Sequence, residues 1–438
     1  MVKKLLVIFL FFNCYFTYAQ TIKTDVLVIG NGASAVTAAM QCAKSKVKTI
    51  LLIKGGWLEN MQGQTMAVVD ANHNLPSGTW GEFRKEIHNF YKKTPGYDTA
   101  YNAPLKFEPY TGASILKKMA DTTKNLTIKL NSPFTAVKKD GTGWEVSITQ
   151  NGKTETIKAK VIIDATANGE AVLKAGAKFP PELRYTDDLY RTAIVSGISL
   201  KSGDDGLKKT YPPAPAYCLP ISALIAQDAE NLFIADKNLG IAENLENLPM
   251  QMAVGQGTGT MAAFCAFFKT TQKDFKVRLI QGELLDFKGY ILPFEDVNPT
   301  DRYFRAIQQI GATGLLKGIR KVKNNEDQFL FMPDSAVNTA EVKPVLTEIY
   351  SRAFLWFNKV KPAAHFTVGN TLAFICEITL SEPKLFQTTI QKEWKTKYKF
   401  ASDFDMNRPI TRRELAILAN QFLNPFARAV DLNGRIVN

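Results

Sequence analysis

The sequence predicts an α/β protein: a three-layer domain built on a parallel sheet, with a small inserted β-sheet, followed by a mostly α-helical C-terminal domain. Two short apolar segments, 25–29 and 49–53, flank a glycine-rich turn and an alanine-rich helical pattern. The chain has 438 residues, which is more than one hydrophobic core usually serves. Beyond residue 275, glycine turns and buried-strand patterns give way to helical spacing.

The composition is that of a packed globular protein. Hydrophobic residues make up 45% of the chain and charged residues 22%, which excludes a disordered or fibrous protein. The net charge of +13 favours anionic surfaces through long-range attraction. Two basic clusters, at 317–323 and 392–399, lack the aromatic interleaving of a nucleic-acid site. They predict solvated faces, and we expect no nucleic-acid partner.

Residues 1–19 have the pattern of a secretory signal peptide. Lys3 and Lys4 precede an apolar run at 5–12, and Ala19 ends a small-residue cleavage site. Neither this run nor any later one reaches the roughly 20 apolar residues that a bilayer span needs. We therefore expect cleavage after Ala19 and an exported protein in the periplasm, at the cell surface or outside the cell, without a transmembrane segment.

The cysteines of the mature chain lie far apart in apolar surroundings. Their positions are Cys42, Cys218, Cys265 and Cys376. Because none has metal-ligand spacing, they predict buried thiols and no metal site, with one disulfide left open for an oxidising compartment.

The segment from Asp25 to Ile53 predicts a βαβ unit with a nucleotide-binding turn. Gly30 permits a tight turn after the first strand, and Gly32 lets backbone approach a pyrophosphate. Ala35 stands where a third glycine is usual, and the following helix offers free N–H donors at its start. The pattern predicts dinucleotide binding, against the alternative of a turn that serves the fold alone.

Lys54 stands at the end of the second strand, where an Asp or Glu usually accepts hydrogen bonds from the adenosine ribose. A lysine cannot accept those bonds, but it can meet a phosphate. Two alternatives stay open: a 2′-phosphorylated dinucleotide, or a solvated loop lysine with reduced cofactor affinity.

Further strands and one further helix complete the first domain, which we place at 20–275. Asn151-Gly152 predicts a two-residue hairpin turn between the alternating segments 144–150 and 154–160. The other predicted parts are a buried strand at 161–164, an insertion at about 180–220 with a strand at 193–200, a strand at 231–235, and a helix opening at Gly255.

The C-terminal domain, placed at 276–438, contains a weak repeat. Phe331-Met-Pro-Asp334 is followed by Thr339-Ala-Glu341, and Phe404-Asp-Met-Asn407 by Thr411-Arg-Arg-Glu414. Threonine at the N-cap with glutamate a turn later predicts a helix start in each copy.

In order and separation, these features resemble the FAD-dependent oxidoreductases of the glutathione-reductase-like flavoprotein superfamily. The resemblance is strongest to an exported bacterial branch with S-layer-homology-like C-terminal segments. The residues that carry it are 25–35, Trp57-Leu58, Met61, 70–78, 80–83, 163–166, 231–236, Leu248-Pro249 and 255–259.

The resemblance implies an FAD/NAD(P)-binding Rossmann-like domain with bound FAD. It places five residues at the diphosphate: Gly30, Asn31, Gly32, Ser34 and Ala35. It places Val137 near the adenine, Asp236 near the ribityl chain, and the helix opening at Gly255, Gln256 and Gly257 near the flavin ring.

His73 falls in a segment that the resemblance places beside the active site. An imidazole titrates near neutrality, which suits general acid–base work on a substrate hydroxyl or amine. The alternative is a histidine that is hydrogen-bonded within a loop.

These features lead to two functional hypotheses. The first is an exported FAD-dependent oxidoreductase that transfers a hydride from a small organic or carbohydrate-like substrate to flavin. The second is a non-catalytic cell-surface or periplasmic binding protein on a flavoprotein scaffold that has lost FAD affinity, which Lys54, Glu59 and Asn60 favour. The C-terminal domain is either a binder of an anionic cell-envelope polymer or a structural helical cap.

Overall fold

The computed structural model describes residues 21–69, 75–100, 103–181, 188–198, 211–237, 244–323 and 326–437. The signal peptide predicted at 1–19 and the candidate catalytic residue His73 both lie outside these described residues. The same holds for parts of the predicted insertion, at 182–187 and 199–210.

The strands are numbered in chain order. They are β1 (Thr21–Gly30), β2 (Thr49–Leu52), β3 (Ala67–Val69), β4 (Leu105–Phe107), β5 (Leu126–Lys129), β6 (Phe134–Asp140), β7 (Gly143–Gln150), β8 (Lys153–Ala165), β9 (Ala193–Ile198), β10 (Ala216–Pro220), β11 (Leu232–Ile234), β12 (Ile319–Lys323) and β13 (Glu326–Leu330).

The α-helices of the described residues are numbered in the same way. They are α1 (Ala33–Lys44), α2 (Gly78–Tyr91), α3 (Pro109–Asp121), α4 (Glu170–Lys174), α5 (Leu248–Phe268), α6 (Val277–Asp286), α7 (Phe304–Thr313), α8 (Thr339–Ile349), α9 (Ala353–Val360), α10 (Val368–Thr379), α11 (Pro383–Thr396) and α12 (Arg412–Leu418). Within the described ranges, every helix is too short or too polar to cross a bilayer.

The main sheet has the order β5-β2-β1-β8-β7-β6, and β11 also pairs with β8. Strands β5, β2, β1, β8 and β11 run parallel, with Val26 of β1 opposite Thr49 on one side and Val161 on the other. The second edge of β8 pairs antiparallel with β7 near its start and parallel with β11 near its end. The predicted hairpin turn is confirmed, since Asn151 and Gly152 have φ of +52° and +73°.

Two apolar cores cover the two faces of this sheet. Val26 and Val28 face the core shared with α1 and α5, whereas Leu27 and Ile29 face the core shared with the β6-β7-β8 meander. This alternation follows from the two-residue period of a strand. Helices, parallel sheet and meander make three layers, so the predicted α/β class is confirmed.

The predicted insertion contains a two-stranded antiparallel sheet, in which Cys218 of β10 lies opposite Ser196 of β9. Strand β9 matches the prediction over Ala193–Ile198. The apolar core that holds α5 also contains residues of the C-terminal region, such as Phe357. The domain bounds at residues 275 and 276 therefore stay predictions. All four described cysteines are buried free thiols.

The C-terminal region is mostly helical but also contains the hairpin of β12 and β13. The sequence prediction missed this hairpin. Strand β12 carries the first basic cluster, and its residues are all exposed. The sequence of β12 lacks the alternation of apolar and polar residues that predicts a strand, because neither face of β12 packs into the core.

Three helix starts meet in a ring of backbone hydrogen bonds. The Val337 N–H donates to the Ile410 carbonyl (3.0 Å), Ile410 to Phe366 (2.9 Å), and Phe366 to Val337 (2.9 Å). All three side chains are buried. Helices α8, α10 and α12 begin within two residues of these positions. The repeat therefore has three members, and the sequence prediction found two.

The predicted N-caps are right in one copy and wrong in the other. Thr411 caps α12 and forms a reciprocal capping box with Glu414. In the other copy the N-cap is Asn338, and Thr339 is the first helical residue. The Thr339 hydroxyl donates to the Ala363 carbonyl instead, and Glu341 pairs with Arg412.

Candidate cofactor-binding site

The candidate site lies where β1, β8 and β11 end and α1 begins. Gly30 ends β1 directly beside Ala165, the last residue of β8. A Cβ atom on Gly30 would lie 2.1 Å from the Ala165 carbonyl oxygen, closer than any real contact. The close approach of β8 therefore requires glycine at this position, which agrees with the tight turn predicted for Gly30.

Helix α1 starts buried and without a side-chain cap. Its N-cap is Gly32, in an extended conformation with φ of −93° and ψ of 173°, and its first turn holds no acidic residue. Ala33, Ser34 and Ala35 are each at most 2% exposed. The first N–H groups of a helix have no intrahelical acceptors, and the helix dipole makes this end positive. An uncapped, buried helix start fits a diphosphate.

Asp236 brings a carboxylate to the same place. It follows β11 by two residues and is 3% exposed. Its Oδ2 accepts a hydrogen bond from the Ser34 hydroxyl in the first turn of α1. A carboxylate at this position can accept bonds from hydroxyl groups, which is the chemistry that a ribityl chain needs. The structure thus brings together the predicted diphosphate residues and Asp236.

Asn31 connects the glycine turn to the loop that follows β2. Its Oδ1 accepts a hydrogen bond from the Leu58 N–H at 3.0 Å. Leu58 is fully buried and has a left-handed backbone with φ of +41°. The side chain of Asn31 therefore positions the backbone around the turn.

The loop after β2 carries an acidic group, Glu59, whose sequence position favours the hypothesis of lost FAD affinity. Lys54 is exposed at the end of β2, as is Glu59 five residues later. The Glu59 Oε1 accepts a hydrogen bond from the Gly56 N–H at 2.5 Å. A Cβ on Gly55 would lie 2.5 Å from the same oxygen. The Glu59 carboxylate thus folds back to the residues directly after Lys54, where the ribose acceptor is expected.

The glycines of α5 pack against protein, and the predicted start of this helix is wrong. The helix begins at Leu248, so Gly255 lies two turns inside it. A Cβ on Gly255 would lie 2.2 Å from the Ser34 carbonyl oxygen of α1, and one on Gly257 would lie 2.8 Å from the Ile194 carbonyl oxygen of β9. These positions are glycine because two neighbouring backbones approach closely, and the helix N-terminus that could face flavin lies near Leu248.

Gln256 is buried and bonded to protein groups. Its amide donates to Gln41 Oε1 at 3.1 Å, and its Oε1 accepts from the Thr79 N–H at 3.2 Å. A Cβ on Gly78 would lie 1.9 Å from Gln256 Oε1. Gln256 therefore holds the start of α2 against α1 and α5. Its predicted contact with the cofactor stays a prediction.

Val137 lies in β6, and its side chain is 4% exposed within the meander core. That side chain belongs to the same buried apolar core as Trp144 and Ile162. A contact of Val137 with adenine would therefore come from its backbone, and it stays a prediction.

Asp164 is a buried carboxylate in the segment that carries the resemblance. It accepts hydrogen bonds from the Thr166 hydroxyl (2.7 Å), the Thr166 N–H (3.0 Å) and the Val172 N–H (2.8 Å). Burial raises the pKa of Asp164, and these hydrogen bonds oppose the rise. Its role is to fix the turn after β8 and the start of α4. Among the described residues, no cluster of three His, Cys, Asp or Glu could hold a metal ion.

The family model described as FAD dependent oxidoreductase matches residues 25–181. No curated protein matches the chain.

Solved structures resemble parts of this chain with low TM-scores. The bacillithiol disulfide reductase of Staphylococcus aureus is 14% identical over 34% of this chain and 40% of its own, with a TM-score of 0.25. The p-nitrophenol 4-monooxygenase PnpA of Pseudomonas putida DLL-E4 is 12% identical over 66% and 90%, with a TM-score of 0.35. A flavoprotein/dehydrogenase of Cytophaga hutchinsonii is 14% identical over 66% and 92%, with a TM-score of 0.35.

All three TM-scores lie below 0.5. This chain also spans less than half the length of the bacillithiol disulfide reductase. The family match covers β1 from Asp25 onward, the glycine turn, α1 and the whole meander. It indicates a FAD-dependent oxidoreductase with FAD as the cofactor.

Proposed function

We propose that this chain is an exported flavoenzyme that transfers a hydride from a small organic or carbohydrate-like substrate to FAD. The observation that carries the proposal is the buried, uncapped start of α1 with Asp236 hydrogen-bonded to its first turn. Bound FAD supplies a two-electron acceptor. The chain's own residues supply the anion site, the hydroxyl acceptors and the proton acceptor.

The N–H groups at the start of α1 are the proposed donors to the diphosphate, with Gly32 leaving room for it. Asp236 is the proposed acceptor for ribityl hydroxyls. We assign the adenosine ribose to Glu59 because its carboxylate reaches the backbone next to Lys54. Under this assignment, Glu59 takes the place of the acidic residue that usually stands at the end of β2, where this chain has Lys54. Glu59 lies five residues later in the sequence.

His73 remains the proposed base that takes a proton from the substrate hydroxyl or amine. An imidazole suits that task near neutral pH. Export remains the proposed fate of the chain, and mass spectrometry of the secreted protein tests it. The expected mature chain starts at Gln20, and a product that keeps residues 1–19 contradicts the proposal.

The contacts of Arg412 in the C-terminal region favour a structural helical cap over the binding of an anionic polymer. The Arg412 guanidinium is 1% exposed and donates to the Phe331 carbonyl, the Lys317 carbonyl and Glu341. A cation with all these internal acceptors is not available to an external anion. We therefore place the anionic-polymer partner second.

An absorption spectrum of the purified protein, before and after addition of FAD, tests the proposed function. Flavin bands that co-purify or titrate to one equivalent are expected. The Gly32→Glu variant should lose them while still unfolding cooperatively, because the new carboxylate fills the site with bulk and like charge. Gly63→Glu, at an exposed glycine, is the matched control and should keep flavin. A wild-type protein that folds but binds no FAD would favour the non-catalytic binding protein.

A further inference from the structure

A large apolar groove lies far from the candidate cofactor site. Its volume is about 1220 Å³, and it is lined by the C-terminal part of α5, by α6 and by residues within 424–437. Six of its apolar side chains are Phe264, Phe267, Phe268, Phe275, Leu279 and Phe426. Phe267, Phe268 and Leu279 are 61%, 56% and 57% exposed. An exposed apolar patch of this kind marks a binding site more often than an ordinary surface.

The groove and the cofactor site lie at opposite ends of α1. Gly255 packs on Ser34 in the first turn of α1, whereas the groove includes Lys44 and Lys46 at its other end. A helix of 12 residues is about 18 Å long. A ligand in the groove therefore does not compete with a diphosphate at the helix start.

Arg278 lines this groove without a carboxylate partner among the described residues. Its guanidinium donates to Gln281 Oε1 at 2.8 Å and to the Arg191 carbonyl at 3.2 Å, and it stacks 4.7 Å from the centre of the Phe426 ring. Burial and the nearby charge of Arg191 lower the pKa of Arg278 to about 9. Arg191 itself is neutralised by a two-bond pair with Glu348. Within the part of the chain that the structure describes, Arg278 is thus a cation without a carboxylate counter-ion.

The other charges of the groove leave it positive. Five cationic side chains line it (Lys44, Lys46, Lys276, Arg278 and Arg305), against three carboxylates (Glu283, Asp286 and Asp431). Asp286 pairs with Arg305, Lys44 pairs with Glu82 outside the groove, and Glu283 accepts the Ser45 hydroxyl at 2.7 Å. Among the described residues, the groove cations without an ion pair are Lys46, Lys276 and Arg278, against the two carboxylates Glu283 and Asp431. The groove therefore keeps a small positive excess that an anion can meet.

We propose that this groove binds a long-chain fatty acid, with its carboxylate on Arg278 and its aliphatic chain along the phenylalanines. One half-buried cation beside aromatic walls matches a ligand with one negative head and one apolar tail. The volume of about 1220 Å³ is close to the ~300–1,000 Å³ of typical small-molecule sites. The exposed phenylalanines at the mouth cover the part of the tail that leaves the groove.

The test is a titration of the full-length mature protein with sodium oleate below its micelle concentration, followed by displacement of 11-(dansylamino)undecanoic acid. Saturable binding of one equivalent is expected. Arg278→Gln should weaken oleate binding about tenfold or more, as for the loss of a charge-assisted hydrogen bond. It should change binding of uncharged oleyl alcohol by less than about threefold.

Leu279→Asp is the second variant, since an exposed position tolerates the change without unfolding. It should weaken oleate and oleyl alcohol together. Phe90→Asp, at a phenylalanine of α2 that is 60% exposed and outside the groove, is the matched control and should bind oleate normally. Three results would overturn the proposal: no saturable binding of oleate, equal binding by wild type and Arg278→Gln, or binding to anionic phospholipid vesicles without binding of monomeric oleate. FAD content should stay constant throughout.

Discussion

Glu59 offers the sharpest test of the cofactor site, because its role rests on the structure and not on its sequence position. Glu59→Gln keeps the shape of the side chain and removes its charge. A hydrogen bond to a charged group contributes ~1.5–3 kcal/mol and a neutral one ~0.5–1.5 kcal/mol. The side chain is exposed, so we take a difference of about 1 kcal/mol, which corresponds to about fivefold weaker FAD binding.

The assay is a titration of flavin-free protein followed by quenching of flavin fluorescence, with FAD and FMN side by side. FMN has no adenosine ribose, so its affinity should not change and the FAD/FMN affinity ratio should fall about fivefold. Asn60→Ala, at the neighbouring exposed residue, is the control. The double variant Glu59→Gln/Lys54→Glu should recover FAD binding, because it places an acid at the end of β2 itself. Equal losses for FAD and FMN, or no recovery in the double variant, would refute the assignment.

Four further predictions concern stability. Gly255→Ala should lower the melting temperature, since the new Cβ would lie 2.1 Å from Thr37 Oγ1 and overpacking costs ~1–3 kcal/mol. Gly282→Ala in α6 should raise the melting temperature, because the atom nearest to the new Cβ is 3.4 Å away and alanine stabilises a helix by about 1 kcal/mol relative to glycine. A higher melting temperature for Gly255→Ala than for Gly282→Ala would contradict the packing of these helices. Burial lowers the pKa of His88, so the unfolded chain takes up its proton first and stability should fall as the pH drops below about 6.5. Between pH 7.5 and pH 5.5, the melting temperature should fall less for His88→Gln than for the wild type. An equal fall in both proteins would exclude His88 as the source of the pH dependence. Arg412→Met should cost about 3–5 kcal/mol in urea unfolding because it strands the partly buried Glu341, whereas a small loss would return Arg412 to the polymer-binding hypothesis.

The parts of the fold that depend on local patterns were predictable. A continuous apolar strand, a glycine turn and an alanine-rich helix specify the β1-α1-β2 unit without any distant residue. The Asn151-Gly152 hairpin is equally local, because only a few residue types accept positive φ at both positions. The prediction missed β5 and the hairpin of β12 and β13, since β5 is short and every residue of β12 is exposed.

The parts that depend on contacts between distant segments were not predictable from one sequence. The third member of the C-terminal ring, at Phe366, has neither the Phe-x-Pro-Asp pattern of the first copy nor the Thr-x-x-Glu pattern of the second. Its capping box, of Thr367 and Asn370, resembles only that of the second copy. What it shares with them is a buried apolar residue next to an N-cap. That signal is too weak to find without knowing which backbones meet.

The glycines of α5 show why a motif can be recognised correctly and placed wrongly. A glycine cluster beside a helical pattern suggests a turn that cradles a ligand, and it equally suits two helices whose backbones touch. In this chain Gly255 and Gly259 face the backbone of α1, while Gly257 faces β9. Because α5 packs on the first turn of α1, its glycines fix the helix start that the diphosphate would use. Their contribution to cofactor binding is therefore to position α1, and a side chain at 255 would displace the anion site without ever touching the cofactor.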